Sequence, residues 1–155
     1  MKKQKGFSLI ELLIVVAIIL IIAAIAIPNL LKSKMAANES SAVGSVRTIN
    51  TAEITYSVSC PTNGYSANLL ALNTGGGCAA GLSIIDPNLA AGNKSGYTIA
   101  EVGANPIAGV NTTYTTTATP QTVGTTGQRM FCSDQTGVIR YTLAGVGCTN
   151  ASPAL

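Results

Sequence analysis

Three residues near the start of the chain have types and spacing that point to chemistry. Gly6 and Phe7 form the junction between a basic stretch holding Lys2, Lys3 and Lys5 and a long apolar run, and Glu11 is the only charge between Phe7 and Ile27, a span of 21 residues. At about 1.5 Å per residue a helix of that length matches a bilayer's hydrocarbon core of about 30 Å. An acidic side chain at the centre of such a helix costs roughly 2.5 to 3.5 kcal/mol, so Glu11 calls for a partner. If the Gly6–Phe7 bond is cut, the new Phe7 amine lies one helical turn from Glu11. In a bundle of identical helices a neighbour's amine can approach the same carboxylate. This is the chemistry of a proteolysis substrate and of an assembly contact.

Catalytic chemistry has little footing. The 155 residues include no histidine and only two aspartates, so no base and nucleophile pair emerges from residue type and spacing. Asp86 and Asp134 read as turn residues rather than seeds of an oxygen-rich calcium site, and no metal or cofactor is implied. Gly75-Gly76-Gly77 lacks the Gly-Lys-Ser/Thr of a phosphate loop and reads as a bend. The four cysteines, Cys60, Cys78, Cys132 and Cys148, all follow the apolar segment. With no histidine and no C-x-x-C they read as disulfides of an exported domain rather than zinc ligands. Three connectivities are open, and the short loops Cys60–Cys78 and Cys132–Cys148 are the simplest local solution. Formal net charge is +3, with nine basic and six acidic residues. Losing the three leader lysines equalises the two signs, which gives no support to nucleic-acid binding by bulk charge.

The elements that must position these residues follow from hydrophobic pattern. Pro28 closes the apolar run as a kink or a site of local melting, since proline removes one helical hydrogen bond. Beyond it Leu31, Met35, Ala42, Val46, Ile49 and Tyr56 recur at helical spacing, with Asn38, Glu39, Arg47, Thr48 and Thr55 falling mostly off that stripe. The simplest account is one helix from Phe7 to about residue 59, its outer half packed on a globular domain. Residues 60–95 read as loop with a turn of helix, bearing two apolar patches, at Leu69, Leu70 and Leu72 and at Ile84, Ile85 and Leu89. Strands are expected over 96–102, 111–119, 127–133 and 137–143, with Asn105-Pro106 as a break, Pro120 as a stop and a hairpin turn at 134–137. The fold class is α+β: a long helix under a small antiparallel sheet. The threonines from Thr112 to Thr119 read as a strand with a solvated face, and the scattered aromatic residues support no stack.

The Gly6/Phe7 junction, the basic leader before it, Ser8-Leu9-Ile10-Glu11-Leu12 after it and Pro28 closely resemble the class III leader and N-terminal helix of type IV pilins and their pseudopilin relatives. The resemblance covers about the first 55 residues. A weaker likeness to bacterial pilin-like proteins lies in the Gly96-Tyr97-Thr98-Ile99 strand, the Arg129-Met130-Phe131-Cys132 strand and the Asp134-to-Arg140 hairpin. The N-terminal resemblance implies removal of residues 1–6 by prepilin peptidase, which also N-methylates Phe7. It further implies a helix 7–59 with 7–27 in the membrane and a disulfide-containing sheet domain over 60–155. The implied partners are other copies of the chain, the inner-membrane assembly platform and membrane lipid before assembly. The implied location is the inner membrane and then the extracellular pilus.

Other readings compete with this one. A secretory signal cut after Ala24-Ile25-Ala26 has too long an apolar core, and a plain membrane anchor leaves Glu11 unexplained. A pseudopilin of type II secretion would resemble a pilin but carry a calcium loop, for which this chain is short of acidic ligands. The expected function is therefore a filament subunit and not an enzyme. A minor pilin or pseudopilin is the alternative within that class, and a membrane-anchored exported binding domain acting as a monomer is the alternative outside it.

Overall fold

The computed structural model describes residues 7–78 and 81–155. The chain divides into two units, Met1–Lys34 and Met35–Leu155, and helix α1, Leu9–Ser59, contributes to both. The second unit adds helices α2 (Leu69–Thr74) and α3 (Pro87–Ala90). Its strands are β1 (Asn93–Lys94), β2 (Tyr97–Ile107), β3 (Val110–Pro120), β4 (Arg129–Asp134) and β5 (Arg140–Leu143). The architecture is α+β. All strand pairs are antiparallel, and the spatial order β1-β2-β3-β4-β5 is the order of the chain.

The second unit is built on one face of α1. Residues 39, 42, 46, 49, 53 and 56 alternate by three and four and are all buried, which is the seam a 3.6-residue period presents to a sheet. Ala42, Val46, Ile49 and Tyr56 join Tyr97 and Ile99 of β2, Ala118 of β3 and Phe131 of β4 in a single apolar core, closed from the side by Leu69, Leu72, Ile85 and Leu89. The two loop patches are thus core, with only Leu70 of the first turned outward. Glu39 corrects the expected stripe, because it is buried on that face rather than off it. Leu31 is exposed and belongs to the first unit.

Asn105-Pro106 does not break the strand. Strand β2 continues to Ile107 and pairs with β3 as far as Ile107 and Val110, and the chain reverses at Ala108 (φ 51°) and Gly109 (φ 86°). Two successive positive φ values are those of a tight hairpin turn whose twist suits the flanking strands. The strain appears instead at Asn105 (φ 50°), where the Thr112 hydroxyl donates to the Asn105 carbonyl at 2.7 Å. Gly103 has a separate task. A Cβ there would collide with the Ser66 carbonyl, so glycine lets the 63–67 segment lie directly on β2.

Local capping agrees with the sequence. Asp86 accepts the Leu89 N–H at 2.9 Å as N-cap of α3. Asp134 accepts the Thr136 N–H at 2.9 Å in the β4–β5 turn, which Gly137 completes at φ 73°.

Candidate functional site

At the start of α1 the first helical hydrogen bond runs from the Leu12 N–H to the Ser8 carbonyl at 3.2 Å. The Glu11 carboxylate turns back and accepts the Ser8 N–H at 2.9 Å. Ser8 is therefore the N-cap and Glu11 the third helical residue, and this contact is the acidic half of a capping box. A backbone donor without a partner in hydrocarbon costs several kcal/mol, and a negative charge suits the positive end of the helix. Glu11 thus meets a need within its own helix. The Ser8-x-x-Glu11 spacing signals this cap in the sequence, apart from any role of Glu11 as an assembly contact. Phe7 is 84% exposed, one residue from the N–H that Glu11 already holds. Gly6 and the rest of the 1–6 leader lie outside the described residues.

From Leu9 to Leu30 the large apolar side chains of α1 are exposed on every side of the helix. Surface of that extent belongs against lipid or other protein, and the helix is long and apolar enough to cross a membrane. The helix is continuous through Pro28. Because Pro28 has no N–H, the carbonyl of Ala24 loses its usual donor there, which is the physical content of a kink or melting site at this position.

In the second unit the cysteines are joined as Cys60–Cys78, with Cα atoms 5.7 Å apart, and Cys132–Cys148, at 5.8 Å. The first ties the end of α1 to the loop after α2, and the second ties β4 to the segment after β5. Among the described residues no three His, Cys, Asp or Glu side chains gather as a metal site. A cleft of about 390 Å³ lies between Tyr56, Tyr65, Asn63, Asn68 and Asn111. Its amides hold the fold itself: Asn63 donates to the Tyr56 hydroxyl, Asn111 donates to the Tyr65 carbonyl, and Asn68 accepts from Ala71.

Polar groups that sequence reasoning did not single out tie α1 to the sheet. Glu39 accepts the N–H groups of Gln128 and Arg129 at 2.9 and 3.2 Å and pairs with the Arg129 guanidinium at 2.8 Å. Burial acts to raise its pKa, but these donors and the nearby positive charge outweigh burial and hold the carboxyl below its ordinary value. Asn50 donates to Ser133 at 2.8 Å and accepts from the Tyr114 hydroxyl at 3.1 Å.

Residues 1–27 match the prokaryotic N-terminal methylation motif. The chain is 62% identical over 39 residues to the type IV wide pilus major component PilA4 of Thermus thermophilus, a match covering 25% of this chain and 30% of that protein. It is 46% identical over 54 residues to the type IV major pilin protein PilA of Myxococcus xanthus, covering 35% of this chain and 24% of that protein. The matched N-terminal part of this chain carries a prepilin leader and is homologous to type IV major pilins. The chain spans less than a third of the length of each of these relatives. No solved structure matches it at a significant level. The described geometry of Phe7, Ser8 and Glu11 therefore lies within the motif of a pilin N-terminus, with a sheet domain outside the matched motif.

Proposed function

We propose that this chain is a structural, non-enzymatic subunit of a type IV pilus. Prepilin peptidase cuts it between Gly6 and Phe7, Phe7 is N-methylated, and the subunit polymerises through α1 into a surface filament. The carrying observation is a helix apolar on every side whose only charge from Phe7 to Ile27, Glu11, stands in its first turn. Before assembly that surface is covered by inner-membrane lipid, and the assembly platform then transfers it to other copies of α1. Within the filament a neighbour's Phe7 amine is the partner of Glu11, because exclusion of water strengthens the pairing. Pro28 marks where the helix can yield during that transfer, and the two disulfides stabilise the outer domain.

The test is electron microscopy of sheared surface material together with intact mass and N-terminal peptide analysis of its main component. Filaments whose subunit begins at methylated Phe7 are expected. A mature N-terminus at Ile27, or an uncut leader in assembled material, overturns the proposal. Absence of filaments at every expression level would favour a membrane-anchored monomer.

A further inference from the structure

Glu53 of α1 and Glu101 of β2 are both buried, 0% and 4% exposed, and the Ser66 hydroxyl lies between them. Its Oγ is 2.6 Å from Glu53 Oε1, 2.8 Å from Glu101 Oε2 and 3.2 Å from the Asn68 carbonyl. A hydroxyl has one hydrogen to donate. Whichever acceptor takes it, at least one of the two carboxyl groups must bring a proton of its own, or two oxygen lone pairs face each other across a hydrogen-bond distance. Burial pushes the Glu53 carboxyl up as well, but of the two it is the better served in the charged form, since its Oε2 also accepts the Ser66 N–H at 2.9 Å. Glu101 has no second donor, and its Oε1 lacks any hydrogen-bond partner. The proton therefore sits on Glu101 Oε2, which donates to Ser66, and Ser66 donates to Glu53.

We infer that this shared proton is a latch fastening strand β2 to helix α1, and that its loss in alkaline surroundings loosens the outer domain. On deprotonation Glu101 gives its proton to hydroxide and becomes a second carboxylate. Ser66 can then satisfy only one of the two, and two buried like charges push β2 from α1. The Tyr114 ring of β3 feels both glutamates together with Tyr65 and Asp134, and none of these groups is cationic. Among the described residues neither glutamate makes an ion pair with lysine or arginine. On β3 the Thr116 hydroxyl, cross-strand from Glu101 and fully buried, also lacks a partner. Burial and the neighbouring Glu53 push the Glu101 carboxyl up to about 8. Because the folded value lies above the unfolded one, the contribution of Glu101 to stability is complete below about 4.5 and declines as pH rises through about 8.

The experiment is thermal unfolding of the full chain in detergent micelles between pH 5 and 9, for wild type and Glu101→Gln. Wild type is expected to lose about 10 °C in Tm across that range. Glu101→Gln, whose amide donates to Ser66 and cannot ionise, is expected to give a flat profile. A flat wild-type profile overturns the latch, as does an equally steep fall in Glu101→Gln. Should that variant fail to fold, infrared spectroscopy with labelled glutamate decides in the folded chain at pH 6. A protonated carboxyl that persists in Glu11→Gln supports the latch, and its absence sinks it. These readouts concern the outer domain alone, so they stand or fall independently of filament assembly.

Discussion

The side chains of Glu39 on α1 and Arg129 on β4 are joined through one carboxylate oxygen: Glu39 Oε2 lies 2.8 Å from both Nε and a terminal nitrogen of the guanidinium. The second oxygen takes the backbone N–H groups of Gln128 and Arg129. The carboxylate thus anchors the start of β4 by backbone as well as by charge. The Arg129 guanidinium also lies 5.5 Å from the ring centres of Phe131 and Tyr141, which fixes its plane.

Replacing Glu39 by alanine leaves two backbone donors without their acceptor, at a cost of about 1 to 3 kcal/mol. Glu39→Ala should therefore melt at lower temperature than wild type, with filament formation reduced only through lost subunit. The folded pKa of Glu39 lies below the unfolded 4.5, so its contribution is complete above that value and is lost as pH falls through the depressed folded value. Melting curves below pH 5 should show a loss in wild type that is smaller in Glu39→Ala. Equal acid sensitivity in the two would show that another carboxylate dominates there.

Glu11 has two jobs that one pair of substitutions separates. Alanine removes both the cap on Ser8 and the charge, whereas glutamine keeps an acceptor for the Ser8 N–H and removes only the charge. If pairing with a neighbour's Phe7 amine drives assembly, both variants are cleaved and folded, yet both yield few or no filaments. Leaving one member of a buried pair alone costs about 3 to 5 kcal/mol. Normal filaments from Glu11→Gln alone would assign the role to the cap, and normal filaments from Glu11→Ala would remove Glu11 from assembly altogether.

Processing is expected to depend on the small residue before the cut. Gly6→Val should accumulate full-length precursor in the membrane fraction, visible as a mass increase equal to the 1–6 leader. Normal cleavage of Gly6→Val would move the processing site elsewhere.

Non-reduced peptide mapping of exported protein should recover Cys60 linked to Cys78 and Cys132 linked to Cys148. Losing either bridge should cost the outer domain about 2 to 5 kcal/mol, read as a lower denaturation midpoint. Four free thiols, or crossed linkages, would contradict the arrangement of the loops.

Much of this was legible because period and composition carried it. The apolar run, the Gly6/Phe7 junction and the isolated Glu11 stand out without any coordinates. The seam of α1 was legible at Ala42, Val46, Ile49 and Tyr56, but Glu39 and Glu53 hold the same three-four spacing and are buried with them. A charged side chain reads as outward in a hydropathy pattern, and only its partners, Arg129 and Ser66, reveal otherwise. Glu101 likewise shares the inward alternation of Tyr97 and Ile99. Those partners are 90 and 35 residues away in sequence for the bonds that matter, Glu39 to Arg129 and Ser66 to Glu101. The continuation of β2 past Pro106 was hidden for another reason. Its turn, Ala108-Gly109, lacks the asparagine or aspartate that usually announces two positive φ values.

The strand order has a kinetic consequence. Each strand finds its mate in the segment just before it, so the closure entropy paid for every ladder is that of a short loop. Topologies of this kind fold quickly because few distant segments must meet before contacts reward them. If the first helix is held in lipid as proposed, the sheet can complete hairpin by hairpin as the chain emerges, beginning at the Ser95-Gly96 turn between β1 and β2. The late step is the closing of the sheet onto α1, where Glu39 must find Arg129 across most of the chain.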